Sequence, residues 1–172
     1  SVRADSVVDI VIVPTPCTVG VNQVFTVDIR LVAGSVPVRA AEAHIDFNST
    51  YLEVQSITLG TALDMPLKNQ FNNTMGTIDC AAGKLTGTLP SGNITLATIQ
   101  LKAKAVTAST PLTFVFDNAT NRVTDVITSP MASVLGTVTD GAVTIQALPP
   151  GGTLSGHVEL QGRPAAGDPF HT

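Results

Sequence analysis

The chain has 172 residues, room for one domain with a full hydrophobic core and a small appendage. Charged residues make up 13% and hydrophobic ones 44%, so the surface falls to Thr, Ser, Asn and Gln, the usual covering of secreted β proteins, and compositional disorder is excluded. A net charge of −4 with scattered Lys and Arg argues against nucleic acid as a partner, and no run is long and apolar enough for membrane insertion.

In chain order, residues 7–13 are apolar at every position except Asp9, which predicts a strand covered on both sides. Pro14-Thr-Pro16 and Gly20-Val-Asn22 are turn signals. Phe25, Val27, Ile29 and Leu31 then alternate with Val24, Thr26, Asp28 and Arg30, the period of a half-buried strand. After Gly34-Ser-Val-Pro37 the same period puts Ala43, Ile45 and Phe47 on an apolar face, with Glu42, His44 and Asp46 pointing outward. Asn48-Ser-Thr50 turns the chain. Residues 61–70 carry Pro66 in their middle and are expected to be a loop crossing between sheets. Turns at Asn72-Asn-Thr-Met-Gly76 and Pro90-Ser-Gly-Asn93 follow. Ile99, Leu101, Ala103 and Ala105 alternate with Thr98, Gln100, Lys102 and Lys104. Leu112, Phe114 and Phe116 are expected on one face, as are Val143, Ile145 and Ala147 beyond the Asp140-Gly141 turn.

No segment reads as an amphipathic helix, and turn signals recur every roughly 8 to 12 residues, the spacing of a sandwich. The fold class is all-β, an antiparallel β-sandwich over residues 1–147. At Leu148-Pro-Pro-Gly-Gly152 the composition changes to that of a linker. Residues 153–172 form a tail with one further strand, in which Leu154, Val158 and Leu160 share a face and Gly156 leaves a gap.

Little in the chain reads as chemistry. Glu42, His44 and Asp46 form a same-face row of acid, base and ligand types, yet such rows are more often the wet face of a sandwich strand. His157 and His171 have no partner at metal-ligand spacing, so no catalytic or metal residue is assigned and the chain reads as no enzyme. No cofactor is called for. A structural calcium ion is the one candidate, on the oxygen ligands of Asp117, Asn118, Asn121 and Asp125, although Asn- and Asp-rich loops also turn without a metal. Four N-x-[ST] sequons make Asn48, Asn72, Asn93 and Asn118 glycosylation candidates at turns or strand ends. Cys17 and Cys80 are expected to form a disulfide closing a long loop, which implies an oxidising compartment. Aromatics are 4%, with no Trp, which speaks against a planar sugar-binding row. The chain opens on Ser1, as a processed or trimmed chain does.

Several segments, in order, carry a family resemblance. They are Val24-Phe-Thr-Val-Asp-Ile-Arg-Leu31, Ala41-Glu-Ala-His-Ile-Asp-Phe-Asn-Ser-Thr-Tyr-Leu-Glu-Val54, Gly76-Thr-Ile-Asp79, Ile94-Thr-Leu-Ala-Thr-Ile-Gln-Leu-Lys-Ala103 and Gly141-Ala-Val-Thr-Ile145. Together they resemble a cohesin domain across residues 23–146. The resemblance implies a jelly-roll sandwich, an extracellular or cell-surface setting and a dockerin as partner. Carbohydrate-binding modules share the architecture, so that function remains an alternative. The tail segment Ser155-Gly-His-Val-Glu-Leu-Gln-Gly-Arg163 resembles the first strand of carboxypeptidase-regulatory-like β domains. A lone strand needs a sheet edge, either that of its own sandwich or, as the linker's direction away from the closing strand favours, that of a neighbouring copy, through Leu154, Gly156, Val158 and Leu160. The leading reading of the sequence is thus a non-catalytic extracellular subunit, glycosylated and polymerising with itself into a filament. A cohesin-type module docking a dockerin-like partner is the alternative.

Overall fold

A computed structural model describes residues 6–151 of the protein. They form strands β1 (Val8–Val13), β2 (Cys17–Gly20), β3 (Val24–Val32), β4 (Ala40–Phe47), β5 (Leu52–Leu59), β6 (Met65–Asn72), β7 (Thr77–Gly83) and β8 (Asn93–Ala103). After these come β9 (Thr107–Phe114), β10 (Phe116–Asp117), β11 (Arg122–Val123), β12 (Asp125–Thr128), β13 (Ala132–Ser133), β14 (Leu135–Thr139) and β15 (Gly141–Gln146), with no helix among the described residues. One sheet runs β14-β1-β3-β8-β5. The other runs β13-β12-β4-β9-β15-β2, with β7 on the remaining edge of β4 and β6 outside β7. Most pairs are antiparallel, while β1 with β14 and β15 with β2 run parallel because the N-terminal strands are split between the two sheets.

The alternation read from the sequence is what closes the sandwich. Ile29 and Leu31 of β3 and Ile99 and Leu101 of β8 meet Ala43 and Ile45 of β4, Ile78 of β7, Leu112 of β9 and Ile145 of β15 in one buried cluster. Each fully buried Ile or Leu contributes about 2 kcal/mol relative to exposure. In β8 the alternation slips by one residue, so Leu96 and Ala97 are both buried, and the register against β3 shifts between Ile29 and Arg30. The open edge of β5 is sealed by side chains from the opposite sheet. Asn73 donates to Val54 O at 2.9 Å and accepts from Val54 N at 2.8 Å, and Asn69 donates to Ile57 O at 3.1 Å.

Four expectations are corrected. Strand β1 is buried on one face only: Val8, Ile10 and Ile12 point inward, and Asp9 on the half-exposed face accepts the Thr137 N–H at 2.7 Å. Residues 65–72 are a strand, not a crossing loop. Pro66 is tolerated because β6 pairs only with β7 and bulges between Pro66 and Lys68. Phe116 does not continue the Leu112–Phe114 face; β9 ends at Phe114, the chain turns outward, and Phe116 is 51% exposed. The disulfide is absent, both cysteines being free thiols. Cys17 on β2 and Cys80 on β7 lie in one sheet with β15, β9 and β4 between them. Four strand spacings make roughly 19 Å, far beyond the reach of a disulfide. Burial pushes the Cys80 thiol up to about 12, which keeps it protonated and inert.

Candidate functional site

The outer face of β6, β7 and β4 is where the structure concentrates polar chemistry. With Ala41, Ala43, Ile45 and Phe47 turned into the core, β4 must present Glu42, His44 and Asp46 outward. Strand β7 buries Ile78, Cys80 and Ala82, and so presents Thr77, Asp79 and Ala81. Register sets these residues in rows. Asp79 stands between His44 and Gln70, and Thr77 stands between Asp46 and Asn72. Beyond β4, Asp125 lies opposite Glu42 and Thr113 opposite Asp46.

Strands β12 and β9 share that second edge of β4 and leave His44 between them unpaired by either. The feet of the β10–β11 hairpin fill the gap. Val115 N donates to His44 O at 2.8 Å, His44 N donates to Thr124 Oγ1 at 3.1 Å, and Thr124 N donates to Val115 O at 3.0 Å. The backbone of His44 is therefore satisfied, and the hairpin is carried onto the face of the sheet.

Arg122, at the start of β11, pins the hairpin down. Its Nε donates to Asp79 Oδ1 at 2.8 Å, Nη1 to Asp46 Oδ1 at 2.5 Å and Nη2 to Ile45 O at 3.1 Å. The same Asp79 oxygen lies 2.6 Å from His44 Nδ1, while His44 Nε2 lies 3.2 Å from Glu42 Oε2. His44 does sit on the outer face as the alternation requires, yet it is 1% exposed because this network covers it. Burial raises the Asp79 carboxyl, hydrogen bonds from His44 and Arg122 lower it, and the net result is below its ordinary value. The Arg122 guanidinium is in turn raised, its burial being outweighed by the hydrogen bonds and charges of Asp79 and Asp46. Both His44 nitrogens and the Arg122 fork are thus occupied by protein groups. The network stiffens the face.

Around this floor the surface is indented and carries a few exposed apolar side chains. A depression of about 720 Å³ is lined by Phe71, Met75, Val115, Asp46, Asp79 and Arg122, among others. Phe71 is 41% exposed and Met75 74% exposed, and Phe116 projects from the hairpin. A smaller hollow of about 180 Å³ lies at the other end, between Leu67, Ala81, Glu42, Asp125 and Ile127. Glu42, Asp46, Asp79, Asp117 and Asp125 make the face rich in carboxylates, against the cations Arg122 and Lys68.

The four sequon asparagines are all exposed. Asn48, Asn72 and Asn118 stand at this end of the molecule, while Asn93 begins β8 opposite Val32 in the other sheet. Two of the calcium candidates are engaged by protein donors. Asp117 accepts from Ala119 N at 2.9 Å and Thr120 Oγ1 at 2.8 Å, and Asp125 accepts from Ser133 Oγ at 2.6 Å. Among the described residues no group of His, Cys, Asp and Glu is placed to hold a metal. The tail residues Leu154, Gly156, Val158 and Leu160 lie outside the described residues. Sequence reasoning missed Asp79, Arg122 and the hairpin; the outward row of Glu42, His44 and Asp46 was the available signal.

The family model described as "Cohesin domain" matches residues 11–145. No curated protein sequence matches the chain. Solved structures do. A cohesin of the complex between the OlpC cohesin and dockerin 435 from Clostridium thermocellum superposes with a TM-score of 0.70 at 12% identity, over 86% of this chain and 99% of that one. The seventh ScaB type I cohesin of Pseudobacteroides cellulosolvens gives 0.69 at 18% identity, covering 89% and 99%. A non-cellulosomal cohesin from the archaeon Archaeoglobus fulgidus gives 0.64 at 15%, covering 81% and 91%.

Proposed function

This chain belongs to the cohesin family, and from that premise we propose that it is a non-catalytic docking module that grips a dockerin-like protein partner outside the cell. The OlpC relative was solved in such a complex. The observation that carries the reading is the outer face of β6, β7 and β4, where an internally paired polar floor lies beside exposed Phe71 and Met75. Rigid polar groups beside exposed apolar side chains are what a specific interface needs, because little is left to order or desolvate on binding. The excess of carboxylates favours a partner with basic residues at its rim. An extracellular or surface setting agrees with the sparse charge of the whole chain.

The test is calorimetric titration of the full chain with a panel of purified dockerin domains. One-to-one binding is expected, weakened roughly hundredfold by Phe71→Asp, as for a central apolar anchor. No binding across the panel, or binding that the variant leaves intact, overturns the reading. The finer reading, self-assembly through the tail, rests on the alternation of Leu154, Val158 and Leu160 after a Pro-Gly linker. It requires polymers from the full chain that disappear when residues 151–172 are deleted.

A further inference from the structure

Two of the four sequons share one geometry, and both stand at the rim of the docking face. Asn72 ends β6, lines the larger depression and faces Thr77 across β7. Its Oδ1 accepts the N–H groups of Thr74 and Met75, each at 2.9 Å. Asn48 follows β4 and lines an adjoining hollow of about 440 Å³ shared with Asp46, Met75 and Thr113. Its Oδ1 accepts the Thr50 N–H at 2.9 Å. In each case the side-chain carbonyl is held by the N–H of the sequon's own threonine, an Asx turn. The carboxamide nitrogen is left with no hydrogen-bond partner among the described residues, and the Asn and Thr of each pair are exposed. The other two sequons differ. The Thr120 hydroxyl in the Asn118 sequon is committed to Asp117 Oδ2 at 2.8 Å, and in the Asn93 sequon Thr95 lies within the β3–β8 ladder opposite Arg30 and makes no such turn with Asn93.

We propose that Asn72 and Asn48 are N-glycan acceptors and that a glycan there closes the docking face. The gating half rests on the docking reading above; the attachment half stands without it. The transfer needs a polyprenyl-diphosphate-linked oligosaccharide as donor. The Asn Nδ2–C1 bond forms, the C1–O bond to diphosphate breaks, the lipid diphosphate leaves with the electron pair, and the amide gives up one proton. Nothing is oxidised or reduced. Once attached at Asn72, a hydrated chain rises from the edge of the depression that Phe71 and Met75 line. A partner seating on those side chains has to displace or desolvate the sugar hydroxyls, which costs binding free energy without a compensating contact.

The experiment uses the full chain secreted from a yeast host whose dolichyl-diphosphate donor supplies a high-mannose glycan. A mannose-binding lectin column separates occupied from bare protein, peptide mass spectrometry maps the sites, and both fractions are titrated with the tightest dockerin of the panel. Expected are glycans at Asn48 and Asn72, bare Asn93 and Asn118, and affinity weakened roughly tenfold or more in the occupied fraction, as when a bulky group is set against an interface. Thr74→Ala together with Thr50→Ala, which keep the backbone N–H groups that Asn72 and Asn48 use, should abolish both glycans and restore most of the affinity. Bare Asn48 and Asn72, or an occupied fraction that docks as tightly as the bare one, overturns the proposal. A bare fraction that binds no dockerin shows instead that the docking reading has failed, and the gating with it. The site map still decides attachment on its own.

Discussion

The two outer faces of this sandwich are built from similar residue types and solved in opposite ways. On the five-stranded sheet, Arg30 pairs with Asp28 two positions away on the same strand at 3.1 Å, and Thr98 of the neighbouring β8 donates to Asp28 at 2.7 Å. Both partners of that ion pair remain accessible to water. On the other sheet, contacts span 35 residues from His44 to Asp79, 43 from Arg122 to Asp79 and 76 from Arg122 to Asp46. There His44, Asp79 and Arg122 are largely withdrawn from water and fix one another's positions, while Glu42 and Asp46 stay half-exposed at the margin. Thr98 also reaches Asp28 across 70 residues, so it is burial and not sequence separation that divides the two faces. A polar group open to water leaves a solvated wall, whereas a buried and mutually paired set is preorganised to receive a partner.

The comparison breaks most sharply at Asp79. Asp79→Ala leaves the His44 ring and the Arg122 guanidinium without their shared acceptor, and breaking one side of a shielded ion pair costs about 3 kcal/mol. Urea denaturation should show this as a lower midpoint with unchanged slope. Next in size is Gly76, whose φ is +70° and whose added Cβ would sit 2.1 Å from Phe47 O, in the turn that feeds β7 into the site. Gly76→Ala should cost about 2 kcal/mol, read by thermal melting. Gly34→Ala on the opposite side of the sandwich meets no atom within 4 Å at φ +53° and should cost about 1 kcal/mol.

Much of this contrast was written in the sequence, and the reason for the remainder is physical. Alternation in β3 and β4 is a local property, so Ile29, Ile45 and their neighbours announced their burial. Strand β6 was hidden because Pro66 is a strong local breaker whose cost vanishes at a sheet edge, and an edge is a property of the whole topology. Phe116 continued the pattern of Phe114 in sequence, but a hairpin inserted beside His44 sends it outward. The row of Glu42, His44 and Asp46 was legible as a row. Its closure by Asp79 and Arg122 was not, since nothing local to any of these residues names its partner. The cysteine pair misled because pairing by count ignores the three strands that separate β2 from β7.

Acid should sharpen the same contrast without mutation. The carboxyl of Asp79 is held below its ordinary value in the folded state, with burial opposing and the His44 and Arg122 hydrogen bonds prevailing. Its stabilising contribution is therefore fully present above the unfolded value of about 4 and is lost as pH falls through the lower folded value. The stability gap between the protein and Asp79→Asn should hold at mildly acidic pH and narrow only below about 4. Arg122→Lys comes next. It keeps one charge but loses the fork that reaches Asp79 and Asp46 together, at about 1 kcal/mol. Amide exchange at Val115 and Thr124 should accelerate while that of β3 and β8 stays unchanged, which separates loosening of the hairpin from global destabilisation.

The smallest effect is the most demanding check on the comparison. Asp28→Ala removes the acceptor of both Arg30 and Thr98 on the five-stranded sheet, as Asp79→Ala removes that of two donors on the other. Counting hydrogen bonds alone, the two substitutions should be alike. They differ in what happens to the abandoned donors. Arg30, with a side chain 48% exposed, regains water at once, whereas His44 at 1% and Arg122 at 18% do not. Asp28→Ala should accordingly cost about 0.5 kcal/mol or less in urea, with dockerin binding unchanged. A loss as large as that of Asp79→Ala would mean that the wall, too, is held by its polar pairs, and the distinction between the two faces would then rest on shape alone.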